Sequence, residues 1–504
     1  MKTSTHWVDF NSLLMAANWL VTGLIVVGFV EVGSNEYVDA QTILLGVALG
    51  LQTHIGLALE RRRRDPFIIL LAVELIFYYS LRLFTLTIFP YSDVFDRYAY
   101  GPRDSNYALV FMLIANALVY AGLRMGGSQT DLAVDAAGWR PVAPARLPVL
   151  MLAAIAFGYF SSGYVTEDEI PRVFNFLALF LAPMIITFMV LAYFVLFRKA
   201  LSRKLVVIII VLLIGEMVLH TLVGSRSAIV GFLQNCMLVL LAARGVIRFR
   251  RATVLWCVAL LPVIVALLVV VFTISTYNRI NKETRAGVNL GEAARLVSES
   301  GSQLALGPAL DFVLPPVFAR AGFFDYSAEL IAHRAQYDSI MNLASYGKSI
   351  VDNVLTPGFD VYDQPKISNA LRFAYSGWGR PSKAAVVESY LSDQLGMYGE
   401  YYALFAYASL PLFFLVPFLL KRAYVRVRRG SPFALAMRRI VILFVFSEVL
   451  RSFGVDWIIV ETLPLIGALF IYAYFFSSRR ISAQTHAVVG LARTAPGLER
   501  GAAP

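Results

Sequence analysis

Twelve stretches of the chain are long and apolar enough to be read as membrane-crossing helices, and no other feature narrows the fold as much. They run roughly over 12–30, 41–59, 66–89, 108–123, 148–164, 174–197, 205–223, 228–243, 253–276, 399–420, 438–453 and 457–476. A bilayer-spanning helix needs about 20 mostly apolar residues, so twelve take up about 240. The 504 residues hold them with room for one sizeable loop. Composition agrees: 58% of residues are hydrophobic and 15% are charged, against about 25% charged in an ordinary soluble domain. That excludes a soluble enzyme, a disordered chain, and a collagen-like or disulfide scaffold. The expected fold is all-α, a polytopic integral membrane protein of about twelve transmembrane helices with one large external loop. Cys236 and Cys257 lie inside apolar runs and suggest neither a disulfide framework nor a metal site. The opening MKTSTHWVDFNS has one lysine and no small-residue cleavage site, so the first apolar stretch reads as a retained helix.

The net charge of +11 would suggest nucleic acid in a soluble protein. In a membrane protein it reflects basic loops on the cytoplasmic side, and no nucleic-acid partner is expected. The loops alternate accordingly. One set carries about 25 basic residues, from Lys2 and Arg61–Arg64 through Arg248–Arg251 and Lys421–Arg429 to Arg479 and Arg480. The short loops of the other set carry four: Arg97, Arg103, Arg172 and Arg226. The positive-inside rule then puts both termini in the cytoplasm and residues 277–398 outside, as a periplasmic loop. That long loop is nearly balanced, with 11 Lys or Arg against 12 Asp or Glu. It shows helical patterning near Glu292–Ser300, Gln303–Gln336 and Ala384–Leu395, broken at Leu314-Pro315-Pro316. The expected organisation is helices one to nine over 1–276, the loop over 277–398, helices ten to twelve over 399–480, and a disordered cytoplasmic tail over 481–504.

Ionisable residues inside spans are expensive, so each needs a reason. Span three holds Glu74 and Arg82, span seven Glu216 and His220, span eleven Glu448 and Arg451, and span two His54. The topology sets Arg82, Glu216, His220, Arg226, Glu448 and Arg451 in the outer half of the bilayer or at its edge, with Arg279 following span nine at the same level. Arg82, Arg226, Arg279 and Arg451 thus converge on the outer boundary. Guanidinium suits a bidentate grip on phosphate oxygens. Each arginine could instead snorkel to headgroups or pair with Glu74 or Glu448. Glu216 and His220, four apart, could act as a base or seal a helix contact. His54 reads as facing a neighbouring helix, and His333 as a surface residue of an amphipathic helix. In the outer loop Arg372, Arg380 and Lys383 sit among aromatics, in Leu371-Arg372-Phe373-Ala374-Tyr375-Ser376-Gly377-Trp378-Gly379-Arg380-Pro381. That mixture suits a charged, carbohydrate-bearing lipid or an ordinary interfacial loop. The sequence has no Walker A loop, His/Cys metal spacing, Gly-x-Ser-x-Gly elbow or dinucleotide fingerprint. No cofactor or metal is expected, and a reaction here would draw on energy in its substrate, such as a lipid diphosphate leaving group.

Three features resemble the Wzy-type polysaccharide repeat-unit polymerases, the O-antigen polymerase family. They are the Gly224-Ser225-Arg226-Ser227-Ala228-Ile229 turn, the single long outer loop before the last three spans, and the loop's closing stretch Glu388-Ser389-Tyr390-Leu391-Ser392-Asp393-Gln394-Leu395-Gly396-Met397-Tyr398-Gly399. An Arg-x15-Gly spacing known from some members occurs at Arg380 and Gly396. The resemblance implies a glycosyltransferase of the bacterial inner membrane that works without a metal. Its substrate would be an oligosaccharide on undecaprenyl diphosphate, and its product an O-antigen, capsule or exopolysaccharide. Arg226, Arg82, Arg279 and Arg451 would surround the diphosphate, and Arg372 and Arg380 would grip the donor. Glu216 with His220, or Glu448, would orient or deprotonate the acceptor hydroxyl. A chain-length regulator and a flippase are the expected partners besides the lipid bilayer. The rival readings are an O-antigen ligase-like transferase, which a functional His333 would favour, and a lipid-linked oligosaccharide flippase, for which internal repeats would be expected.

Overall fold

A computed structural model describes residues 7–60, 65–88, 100–127, 133–136, 139–142, 144–162, 183–222, 228–260, 322–355, 361–375, 396–451, 458–459, 462–463, 465–469 and 478–480. The described residues are mostly helical, at 82%. In chain order the principal helices are α1 (Phe10–Val32), α2 (Ala40–Glu60), α3 (Pro66–Ile88), α4 (Pro102–Met125), α5 (Arg146–Ser162), α6 (Pro183–Phe197), α7 (Arg203–Leu222), α8 (Ala228–Arg244) and α9 (Arg251–Ala259). There follow α10 (Phe323–Ala332), α11 (Arg334–Tyr337), α12 (Leu343–Ile350), α13 (Ile367–Tyr375), α14 (Met397–Phe405), α15 (Leu410–Arg426) and α16 (Pro432–Arg451). Among the described residues five helices are long and apolar enough to cross a membrane: Phe10–Val32, Ala40–Leu59, Pro66–Ile88, Pro102–Met125 and Met397–Arg426. Helix is what such segments must form, because hydrocarbon offers no partner for an unpaired backbone group.

Local chemistry sets several of these boundaries. Asp65 accepts the Phe67 N–H at 3.0 Å, with Pro66 in the first helical position, so α3 starts on a side-chain cap and a preset φ. α4 starts on Pro102, and the Asp104 carboxylate accepts the Gly101 N–H at 2.9 Å. The expected span over 399–420 is two helices: the chain breaks after Phe405, where Ala406 takes φ +49, and resumes at Leu410. α3 is the enclosed helix of the bundle: 72% of its apolar stretch is buried, against 33% for α1. α4 and α15 approach backbone to backbone. A Cβ on Gly122 would stand 2.3 Å from the Phe414 carbonyl oxygen, so only glycine permits this crossing. Polar side chains join other helices. Asn18 donates to the Gly50 carbonyl at 2.8 Å, Asn116 to Gln52 at 2.8 Å, and Gln234 to Ser447 at 3.0 Å. His54 accepts from the Trp19 indole at 2.9 Å across the α1–α2 contact.

The contacts sort the chain ends into two groups. At one end Trp7–Asp9 pairs antiparallel with Arg248–Arg250, and Trp139–Pro141 with Ser478–Arg480. There too Lys421 meets Asp65 at 2.6 Å, and the Val134 N–H donates to the Ala243 carbonyl. At the other end Asn35 donates to the Leu86 carbonyl, Asn106 to Asp39, and the Gly396 N–H to the Arg451 carbonyl at 3.1 Å. The first group joins segments rich in Lys and Arg, and α10 belongs with the second.

Candidate functional site

The site is organised by α3. Its middle, Leu75–Ser80, is a π-helical turn between two α-helical parts. Such a turn inserts a residue into the helical register and recurs at functional positions. Glu74 enters it, Tyr78 and Tyr79 lie within it, and Arg82 leaves it. Four charged or phenolic side chains therefore face the neighbouring helices within about two turns of one another.

Arg82 meets a partner from a distant part of the chain. It pairs with Asp325 of α10, a residue 243 positions away, with Nε–Oδ2 at 2.6 Å. Both side chains are essentially sealed, at 1% and 0% exposure. Tyr100, just before α4, donates to the other Asp325 oxygen. Burial and the Asp325 charge push the Tyr100 hydroxyl well above its ordinary pKa, so it stays a donor. Arg82 Nη1 also donates to Thr85 at 3.2 Å. Through this pair Arg82 fastens α10 to α3. The face of α10 around it is apolar: Phe323 stacks on Tyr78 with ring centroids 4.7 Å apart.

Behind this fastening lies a second cluster. Arg451, the last residue of α16, stands 3.9 Å from Glu448 and 5.9 Å from the Tyr78 ring. Glu74 lies within electrostatic range of both Arg451 and Glu448. One guanidinium thus faces two carboxylates. Glu74 is 4% exposed, and its Oε1 has no hydrogen-bond partner among the described residues; nor has the buried Tyr398 hydroxyl. Tyr79 and Tyr398 meet edge to face at 5.2 Å. Gly396 closes the pocket: it has φ +74, and a Cβ there would stand 2.4 Å from the Tyr79 hydroxyl. Glycine is required by conformation and by space.

Glu216 lies apart from this cluster. It is buried on α7, which packs against α5, α6 and α8, and Thr187 of α6 donates to it at 2.8 Å. Arg226, Arg279 and Arg380 lie outside the described residues, as do the side chains of His220 and Arg372, which belong to α7 and α13. Most of the Gly224–Ile229 turn and of the Glu388–Gly399 stretch also lies outside them. His333, expected on the surface, is half-buried, with Nδ1 3.1 Å from Glu329. Glu329 in turn accepts from Tyr337 at 2.8 Å, and Glu400 of α14 accepts from Tyr346 of α12. These bonds tie α10 to α11 and α12 to α14. Sequence reasoning flagged Glu74, Arg82, Glu448 and Arg451 but missed Asp325, Tyr78, Tyr79, Tyr100 and Tyr398. Among the described residues no group of three His, Cys, Asp or Glu side chains could hold a metal ion. Comparison with protein-family models, curated proteins and solved structures yields no match.

Proposed function

We propose that the protein is a membrane-embedded, metal-independent glycosyltransferase that polymerises undecaprenyl-diphosphate-linked oligosaccharide repeat units. In this reading it spans the bacterial inner membrane about twelve times. Both termini are cytoplasmic, and residues 277–398 lie on the periplasmic face. The growing glycan leaves its lipid diphosphate for a hydroxyl of a new lipid-linked repeat. A bond forms between the acceptor oxygen and the donor anomeric carbon. The bond from that carbon to the diphosphate breaks, and the electron pair leaves with undecaprenyl diphosphate.

The observation that carries the reading is the Arg451–Glu448–Glu74 cluster under α10, at the end of the bundle opposite the basic segments. Charge held inside a bundle at such cost marks a substrate site. A guanidinium supplies the cation that a departing diphosphate needs. Arg451 takes that role, with Arg226 and Arg279 expected at the same level and Arg372 and Arg380 on the donor sugars. Arg82 holds α10 over the site. Glu448 is the carboxylate best placed to orient the acceptor, and Glu216 with His220 is the second choice. Deleting the gene tests this reading. Single-repeat glycans with no long chains are the expected outcome on a polysaccharide gel.

A second reading is a transporter of the same lipid-linked oligosaccharide. The π turn and the buried glutamate of α3 favour it, since broken helices and intramembrane carboxylates are common in transporters. Repeats trapped inside the cell after deletion would support it over polymerisation. Long chains left on the carrier lipid would instead indicate a ligase-like transferase.

A further inference from the structure

Glycosyl transfer leaves a proton to be placed. The acceptor hydroxyl must lose it as the new bond forms, and the departing diphosphate is already neutralised by arginine. Among the described residues the cluster around Glu74 holds one guanidinium and two carboxyls. Arg451 is further committed to the Tyr78 ring, and its backbone carbonyl to the Gly396 N–H. Of the two carboxyls, Glu74 has an oxygen buried with no hydrogen-bond donor among the described residues. A buried acceptor without a donor is costly and calls for an explanation. The neighbouring Tyr398 hydroxyl is also buried and has no partner among the described residues, and the Tyr79 hydroxyl faces Ser327 and the Gly396 turn. Tyr78 and Arg451 are the partly exposed members and Glu74 is buried, so a substrate would meet the exposed pair first, as a mouth.

We propose that Glu74 is the terminal proton acceptor of the transfer: the acceptor hydroxyl's proton passes inward at the Tyr78–Arg451 mouth and ends on the Glu74 carboxylate. The inference rests on the polymerase reading and names its base. The proton leaves the hydroxyl oxygen as that oxygen bonds to the anomeric carbon, and Glu74 returns it to water after the diphosphate has gone. The groups that face Glu74 are Tyr78 and Tyr79 from its own helix, Arg451 and Glu448 from α16, and Tyr398 from α14. Acting behind the mouth, Glu74 is a positioning residue for the proton and does not contact the sugar.

The test uses the full chain in vesicles with a lipid-linked repeat unit, and reads the polymerisation rate against pH for wild type, Glu74→Gln and Glu74→Asp. Wild-type rate should rise with pH as Glu74 ionises, then level off. Glu74→Gln keeps the side-chain shape and should lose on the order of a hundredfold to ten-thousandfold in rate, with the rise abolished in what remains. Glu74→Asp should restore part of the rate with a displaced rise. A Glu74→Gln protein that polymerises within a few-fold of wild type, on the same pH profile, overturns the assignment. If Glu74→Gln does not fold, Glu74→Asp decides alone, and an unchanged profile overturns it. A wild type that makes no polymer, but moves the lipid-linked repeat between leaflets, overturns the polymerase reading itself.

Discussion

Replacing Asp325 by leucine should release α10 from the bundle while leaving the spans intact. The carboxylate is fully buried, 2.6 Å from an equally buried guanidinium, and takes a second bond from Tyr100. Removing one partner of such a pair strands the other charge, which costs about 3–5 kcal/mol. At 1.4 kcal/mol per tenfold, that raises the open population of α10 on the order of a hundredfold to several-thousandfold. Hydrogen exchange at the amides of 323–332 in detergent-solubilised protein reads this directly. Arg82→Met should produce a similar increase. The double variant Arg82→Met with Asp325→Leu should recover most of the protection, because replacing a buried pair by apolar residues is often neutral or stabilising. Tyr100→Phe should show a smaller increase, since its bond to the carboxylate is worth about 1.5–3 kcal/mol. Additive effects of the two single substitutions, each under about 0.5 kcal/mol, would refute the argument that this pair fastens the helix.

Three further outcomes are expected. Gly396→Ala forces a Cβ at φ +74 and toward the Tyr79 hydroxyl at 2.4 Å, so thermal unfolding should shift down by the equivalent of about 1–3 kcal/mol. Arg226→Ala should remove nearly all polymer and Arg226→Lys leave a small remainder, compared at matched membrane protein levels. Losing a preorganised donor costs about 2.7–4 kcal/mol of transition-state stabilisation, and ammonium cannot offer paired donors. At Asp39, burial raises the proton affinity, but hydrogen bonds from Thr42 and Asn106 outweigh it and hold the carboxyl below its ordinary value of 3.8. Its contribution to folding is present above that value and is lost as pH falls below it. Asp39→Asn should therefore remove the part of acid destabilisation that sets in there, as seen in unfolding measured across pH.

Intramembrane charge was the legible part of the site. Glu74, Arg82, Glu448 and Arg451 stand out because each is costly in an apolar run. Their partners were not legible. Asp325 is one of 12 acidic residues in a long loop, and nothing local marks it as the one that closes on Arg82. Arg82 was expected to hold a ligand or to pair with Glu74 or Glu448, and the fold brings it the carboxylate of Asp325 from α10. The π turn of α3 has no sequence signal, since a helix apolar all round gives no periodicity from which a register shift could be read. Nothing in the sequence singles out Tyr78 and Tyr79, and only the fold sets Tyr78 over Arg451 and Tyr79 against Tyr398. The contacts sort the described helix ends into two groups, one of which joins segments rich in Lys and Arg.

The most direct test of the central claim is a single-turnover measurement on the purified protein in vesicles, supplied with one lipid-linked repeat unit and no other enzyme. The account predicts two-repeat and longer glycans still attached to lipid diphosphate, with one undecaprenyl diphosphate released for each linkage formed. Arg451→Ala should abolish both products together. Repeat units that cross the bilayer unjoined, with no undecaprenyl diphosphate released, would contradict it.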